Sequence, residues 1–240
     1  MTQSRPNPYD DPARAGAYAT LGMDGTYYLA YRDLPTIIQT HARGTRALDF
    51  GCGTGRSTRF LRDLGWSVVG VDSAEPMVAE AKARDPNGTY LLVPPADLST
   101  VASTRYDLIL AVFPFDNIAP IELKTSVLAA LRSLLSSQGC LINVCAAEAV
   151  YHHEWLSFSC RDFPENRQAK NGDQVWAIMN DGPDRRPIAD TLWTEESHHQ
   201  VYRDAGLTLI ATHRPLGTTS EPFAWISETT VSPWIIEVLR

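Results

Sequence analysis

The sequence predicts an α/β protein in which seven strands form a mostly parallel sheet with helices on both faces. From residue 46 onward, short β-branched and apolar runs alternate with segments of helical periodicity. A glycine-rich turn joins the first of these runs to the helix after it. The 240-residue chain is 44% hydrophobic and 20% charged, the balance of a globular domain with a sizeable core. Alternation at this spacing is typical of parallel strands joined by crossover helices.

Residues 1–44 are predicted to form an N-terminal helical lid ahead of the sheet. Asp11 suits the N-cap of a helix and Pro12 its first helical position. An aromatic-rich stretch follows at 26–34, and a second helix is expected at about 35–41.

Residues 45–240 are predicted to form the sheet domain. Its expected strands are 46–50, 67–71, 90–93, 107–113, 140–145, 207–213 and 233–239. Its expected helices are 57–64, 76–84, 123–135 and 194–204. The alternation lapses over 146–194, where two strand-like runs, 174–179 and 188–193, flank the turn-forming residues 180–184. We therefore expect an inserted β-hairpin after strand five, on the substrate side of the domain.

Charge and composition exclude several classes of protein. The net charge is −7, from 21 basic and 28 acidic side chains, and Arg185–Arg186 is the only adjacent basic pair. A nucleic-acid partner is not expected, because such binding needs clustered positive charge. No run of about 18 apolar residues occurs, so no membrane partner is expected. The polar N-terminus does not resemble a secretory signal, which favours the cytoplasm.

The segment Asp49-Phe50-Gly51-Cys52-Gly53-Thr54-Gly55 is the most informative part of the chain. Glycines let the backbone turn tightly and approach a ligand, and the following helix offers free N–H groups. A dinucleotide fingerprint would need a glycine where Arg56 stands. Asp49 would repel a pyrophosphate but attract a cationic ligand, such as the amino group of S-adenosylmethionine. Asp72, at the end of the second strand, could accept both ribose hydroxyl protons or could cap the next helix.

These residues resemble motif I of class I S-adenosylmethionine-dependent methyltransferases of the small-molecule type, which have a Rossmann-like fold. Residues 71–77 resemble the second motif of that family, 96–98 its acidic segment after strand three, and 107–113 its fourth-strand motif. The resemblance covers about residues 44–145 and the closing strands. It implies cofactor-binding roles for a set of eleven residues: Asp49, Gly51, Cys52, Gly53, Asp72, Ser73, Met77, Ala96, Asp97, Leu98 and Phe113.

Within that set the resemblance implies contacts with separate parts of the cofactor. Met77 would pack on the adenine, Asp97 would accept from the adenine amino group, and Phe113 would lie near the sulfonium. Plain core packing for Met77 and Phe113, and a helix cap for Asp97, are the alternatives.

The lid supplies further candidates, Tyr18, Tyr28 and Arg32. Tyrosine faces could hold the sulfonium by cation–π contact, and Arg32 could pair with the cofactor carboxylate. The alternative is an amphipathic helix that packs its aromatic side chains on the sheet.

Substrate sites of open α/β sheets lie beyond the carboxyl ends of the strands, which directs attention to residues 151–155. One histidine of this cluster, His152 or His153, could be the general base. Neighbouring side chains point apart, so at most one of them would face a pocket, and both could be surface residues. No metal is predicted, since the cluster lacks the H-E-x-x-H spacing.

The predicted function is methyl transfer from S-adenosylmethionine to a small-molecule acceptor, through an oxygen, nitrogen or carbon nucleophile. A cyclase or lyase of the same fold that uses the same cofactor is an alternative. A catalytically silent binding protein is a third reading, which the intact turn and Asp72 disfavour. A monomer or homodimer is expected.

Overall fold

The computed structural model describes residues 7–240, which contain ten strands and seven α-helices. The strands are β1 (Arg46–Phe50), β2 (Ser67–Asp72), β3 (Thr89–Leu92), β4 (Tyr106–Val112), β5 (Leu135–Ala146), β6 (Phe158–Ser159), β7 (Gln174–Met179), β8 (Ile188–Thr191), β9 (Leu209–His213) and β10 (Trp234–Leu239). The helices are α1 (Pro12–Tyr18), α2 (Tyr28–Tyr31), α3 (Leu34–His41), α4 (Arg56–Asp63), α5 (Glu75–Arg84), α6 (Ile121–Leu134) and α7 (Glu195–Asp204). Among residues 7–240, no helix combines the length and apolar character that crossing a bilayer requires.

Seven strands form the central sheet in the order β3-β2-β1-β4-β5-β10-β9. The first five pair in parallel, and β10 runs antiparallel to both of its neighbours. One buried apolar cluster joins the sheet to α3 and the N-terminal segment, and a second joins it to α6 and α7. The predicted α/β fold class, with seven mostly parallel strands and helices on both faces, is confirmed.

The insertion after β5 carries a second, three-stranded sheet in the order β6-β7-β8. The predicted hairpin is present: β7 pairs antiparallel with β8, with Gln174 opposite Thr191. The two-residue strand β6 was not predicted, because it is too short to show a period of two. It lies on the other side of β7, with Phe158 opposite Met179.

The N-terminal segment is part of the hydrophobic core. The aromatic-rich stretch forms a short 3₁₀ helix, Gly25–Tyr27, that continues into α2. Leu29 and Leu34 are fully buried in the cluster that covers one face of the sheet. Helix α1 begins as expected, with the Asp11 carboxylate accepting from the amide of Ala13, and it packs on α5. Part of the predicted lid, residues 1–6, lies outside the described residues.

Candidate active site

A cavity of about 570 Å³ opens at the carboxyl ends of β1, β2 and β4. This is the edge at which ligands bind in open parallel sheets. Its wall includes the glycine turn after β1, the end of β2, the loop after β4 and the N-terminal segment. Several predicted site residues line it, namely Tyr18, Gly51, Gly53, Asp72, Ser73, Met77 and Phe113.

The glycine turn adopts a backbone that other residues would strain. Gly51, Gly53 and Gly55 have φ angles of 71°, 52° and 80°, in the left-handed region. A Cβ atom on Gly51 would lie 2.4 Å from Cβ of Pro114 in the loop after β4. The turn therefore brings main chain, without side chains, to the cavity surface ahead of α4.

Asp72 connects the two turns that border the cavity. Its carboxylate accepts from the amide of Gly53 at 2.8 Å and from the amide of Ala74 at 2.9 Å. Ala74 is the N-cap residue of α5, so Asp72 does not itself cap that helix. Burial raises the pKa of Asp72, although the bonds to Ala74 and Gly53 oppose this shift. A carboxylate held at both ends can still accept further hydrogen bonds from a ligand in the cavity.

Asp49 lies beneath the turn rather than on the cavity wall. It is fully buried, and its Oδ2 atom accepts from the hydroxyls of Ser57 and Thr58 at 2.7 and 2.6 Å. Burial is the main cause that raises its pKa to about 6. Its Oδ1 atom has no hydrogen-bond partner within residues 7–240. In the described chain Asp49 thus anchors α4 to β1 and does not line the cavity, and its contact with the cofactor stays a prediction.

Phe113 follows β4 in a strained backbone conformation. Its φ of 69° makes it the one residue other than glycine with positive φ in the described chain. Its ring packs on Trp234 at 4.5 Å and on Tyr27 at 6.1 Å between ring centroids. Such strain persists where the surroundings enforce it, often at functional sites. Here it turns the ring into the wall shared by the main cavity and a smaller, inner one.

Besides Asp49, four of the eleven residues implied by the family resemblance do not line the cavity. Cys52 is buried in a small cluster beside Tyr90, and Leu98 belongs to the core under α6. Ala96 and Asp97 are exposed, and the Asp97 carboxylate accepts from the amide of Ser99. The neighbouring residues Val93 and Pro95 line this part of the cavity instead. The sequence did not mark them as site residues, because apolar side chains suggest no particular chemistry.

The structure corrects the lid prediction for two residues. Arg32 pairs with Asp33 and Glu221, so its guanidinium is engaged outside the cavity. Tyr28 packs on Phe223 at 5.1 Å between ring centroids and lies outside the cavity as well. The sequence could not show the contacts with Glu221 and Phe223, because they join residues about 190 positions apart.

Tyr18 does line the cavity. Its ring contacts a cation, Arg56, that the sequence analysis did not identify as a site residue. The buried guanidinium of Arg56 stands over the rings of Tyr18, Tyr27 and Tyr31 at 5.3, 4.8 and 5.6 Å. It also donates to the hydroxyl of Tyr18 at 2.9 Å. Arg56 thus fixes the aromatic side of the cavity from the first turn of α4.

The inner cavity, about 80 Å³, adjoins the main one and shares Tyr18 and Phe113 with it. The lining includes two carboxylates, Asp116 and Asp190, and the ring of Tyr151. The Tyr151 hydroxyl donates to Asp190 at 3.2 Å. Sequence reasoning missed all three as site residues. The available signal was an aspartate inside β8, Asp190, and another four residues after the end of β4, Asp116.

The predicted general bases lie elsewhere. His152 and His153 are both exposed, and neither lines either cavity. The reason is local: the 3₁₀ helix Glu148–Tyr151 ends just before them, and the buried members of this group are Tyr151 and Trp155. The proposed base role of the two histidines is therefore corrected.

We expect His152→Ala and His153→Ala to leave methyl transfer within about two-fold of wild type, because exposed side chains away from special contacts contribute less than about 0.5 kcal/mol. Steady-state kinetics of both variants checks this. A loss of kcat larger than ten-fold in one variant, on the order of 1.4 kcal/mol, would restore a histidine to the chemical step.

One further group of side chains has metal-ligand chemistry. Potential ligand atoms of Cys145, His198 and Glu237, all buried, lie within 4.8 Å of one another. Tyr202 donates to Glu237 at 2.5 Å, and the positive charge of Lys124 helps to lower the pKa of His198. None of the three lines either cavity, so this cluster is not part of the candidate active site.

Comparison with known proteins agrees with this geometry. Residues 48–141 match the family described as methyltransferase domain. A demethylmenaquinone methyltransferase of Beutenbergia cavernae is 33% identical over 117 residues, 47% of this chain and 46% of its own. The chain spans about half the length of the curated relatives it matches.

Two solved structures share the fold over nearly the whole chain. The CcbJ methyltransferase of Streptomyces caelestis has a TM-score of 0.62 at 20% identity, covering 88% of this chain and 95% of its own. An S-adenosylmethionine-dependent methyltransferase of Clostridium acetobutylicum also has a TM-score of 0.62, at 13% identity, covering 98% and 99%. Residues 48–141 thus match the methyltransferase domain family, and the whole chain shares the fold of these two solved methyltransferases.

Proposed function

We propose that the protein binds S-adenosylmethionine in the main cavity and transfers its methyl group to a small-molecule acceptor. The observation that carries this proposal is the left-handed glycine turn, tied through the amide of Gly53 to a cavity-lining carboxylate, Asp72. The name of the Clostridium neighbour includes this cofactor, and the Beutenbergia relative is named for a small-molecule acceptor.

The residues present fit this cofactor. The bare main chain of the turn admits a ligand that side chains would exclude, and Asp72 offers acceptors for ribose hydroxyls. Met77, buried but on the wall, offers an apolar surface for the adenine. The unpartnered Oδ1 atom of buried Asp49 gives the turn a negative potential that suits a cationic ligand.

When bound, the cofactor supplies a methyl group on a sulfonium leaving group. The protein's own contribution is alignment and exclusion of water, which can account for most of such an acceleration. Tyr18 and Phe113 line the junction of the two cavities, where aromatic faces favour a cation. The acceptor would then approach from the inner cavity. We place the reaction in the cytoplasm, in a monomer or homodimer, with no nucleic-acid or membrane partner.

Calorimetric titration with S-adenosylmethionine and S-adenosylhomocysteine tests the proposal, and we expect saturable binding of both. Turnover is followed as S-adenosylhomocysteine released in the presence of acceptor. Binding of both ligands with cofactor-dependent product but no S-adenosylhomocysteine would favour the cyclase or lyase reading. Absence of binding to well-folded protein would refute the proposal.

A further inference from the structure

The inner cavity contains two carboxylates whose hydrogen bonding is incomplete. Asp116 is only 6% exposed, and its Oδ2 atom accepts from the amide of Ala146 at 3.1 Å. Asp190 accepts from Tyr151 at 3.2 Å. Within residues 7–240 the second oxygen of each carboxylate has no hydrogen-bond partner. Asp116 is buried and Asp190 half-buried, and carboxylates in such surroundings favour a ligand that brings donors and positive charge.

Aromatic rings make up much of the remaining wall. The rings that line the inner cavity belong to Tyr9, Tyr18, Tyr27, Phe113, Tyr151, Phe158 and Trp234. Aromatic faces around a small space are the recognised environment for ammonium groups. No lysine or arginine side chain lines this cavity in the described part of the chain.

The charged and titratable groups around Asp190 leave its negative charge uncompensated. Tyr9, Tyr27 and Cys160 interact with it electrostatically, and Tyr151 donates to it. Burial is the main cause that raises the pKa of Asp190 to about 6.

The pKa of Asp116 is raised as well. Burial comes first and repulsion from Asp190 second among the causes that raise its pKa, and the cation of Lys124 opposes them. Lys124 nevertheless stands over the ring of Trp193 at 4.1 Å, outside the cavity. In the described chain, no cationic side chain therefore lies in the inner cavity with its two carboxylates.

We propose that the methyl acceptor is an amine, whose nitrogen enters the inner cavity between Asp116, Asp190 and the aromatic wall. This inference rests on the proposed methyl transfer and assigns its acceptor class. With a volume of about 80 Å³, the cavity admits the amino group and a few attached carbons. The rest of the acceptor extends toward the opening.

The chemistry balances without a further reagent. The acceptor enters as an ammonium ion and gives one proton to the carboxylate of Asp190. The freed lone pair forms the new N–C bond while the C–S bond breaks, and that bond's electron pair leaves on sulfur. The positive charge of the donor is thereby transferred to nitrogen. Tyr151, bonded to Asp190, positions this carboxylate.

The experiment compares amines and alcohols of the same carbon skeleton on protein saturated with S-adenosylhomocysteine. Benzylamine and 2-phenylethylamine are titrated against benzyl alcohol and 2-phenylethanol by calorimetry. We expect the amines to bind at least about ten-fold more tightly than the alcohols, the contribution of a charged hydrogen bond. Amine affinity should fall as the pH is lowered through about 6, where Asp190 becomes protonated.

Matched variants assign the effect to the cavity. Asp190→Asn and Asp116→Asn should each lower amine affinity about ten-fold or more, with the affinity for S-adenosylhomocysteine unchanged. Asp162→Asn, which removes an exposed carboxylate outside the cavity, should change neither. Equal binding of amines and alcohols, or an amine preference that survives in Asp190→Asn, would overturn the inference. If S-adenosylhomocysteine itself does not bind, the proposed function fails instead.

Discussion

Asp72→Ala should weaken the binding of S-adenosylmethionine by about 1.5–3 kcal/mol, the range for a lost hydrogen bond to a charged group. The effect has two sources in the structure. The substitution removes the predicted acceptor for the ribose, and it releases the amides of Gly53 and Ala74, which the carboxylate holds at 2.8 and 2.9 Å. Calorimetric affinity, expected to fall about 10- to 150-fold, is the measurement.

Two variants make the result interpretable. Asp72→Asn keeps one carbonyl acceptor for the turn but loses the charge, so an intermediate affinity is expected. Asp63→Ala removes an exposed carboxylate at the end of α4 and should bind like wild type. If Asp72→Ala binds as tightly as Asp63→Ala, the cofactor does not use this side chain. If Asp72→Ala unfolds, its role is to hold the two turns.

Glu228→Ala should lower the free energy of unfolding by about 3 kcal/mol, because buried donors lose their acceptor at about 1–3 kcal/mol each. Glu228 is fully buried. Its Oε1 atom accepts from the Thr26 hydroxyl at 2.6 Å and the Leu156 amide at 2.8 Å, and its Oε2 atom accepts from the Ile226 amide at 2.8 Å. One carboxylate therefore joins the N-terminal segment, the insertion and the loop before β10. For a chain of this size the melting temperature should fall by roughly 6–12 °C.

The effect of Glu228→Ala on unfolding is compared with the effects of two matched variants. Glu228→Gln retains the volume and one acceptor oxygen, so a smaller loss is expected. Glu165→Ala removes an exposed carboxylate from the insertion and should change the free energy of unfolding by less than about 0.5 kcal/mol. Thermal and denaturant unfolding of the three variants measures the differences. Similar melting of Glu228→Ala and Glu165→Ala would show that the three segments are held together by other contacts.

Local patterns were sufficient to predict the central sheet. Its strands are apolar or β-branched runs next to turn residues, so each expected strand is present within a few residues of its predicted bounds. The largest error is β5, predicted from residue 140 but beginning at Leu135, directly after α6. Residues 135–139 are mostly polar, and of these only Leu135 pairs with β4, opposite Tyr106 and ahead of a register irregularity. Such pairing depends on the neighbouring strand and leaves no periodic signal in the sequence.

The candidate site was predictable where main chain determines it and less so where side chains from distant segments meet. The glycine turn and Asp72 are local features, and both lie on the cavity. The inner cavity needs Tyr9, Asp116 and Asp190 from three separate regions of the chain. Residue type also misled the prediction at 151–155. Imidazole chemistry suggested His152 and His153, yet Tyr151 is the member that lines a cavity. Which side chain of a loop faces inward depends on its packing partners.

The position of β10 between β5 and β9 has a consequence for how a new chain reaches this fold. In the described sheet β9 pairs with β10 alone, although β9 is synthesised first. Until residues 234–239 leave the ribosome, β9 has no neighbour, and the edge of β5 stays open. Because β10 pairs with residues about 90 positions earlier, such as Ile236 with Val144, this step is expected to be slow. An open strand edge can pair with other chains, so the interval between the synthesis of β5 and that of β10 is the one in which this protein would most benefit from a chaperone.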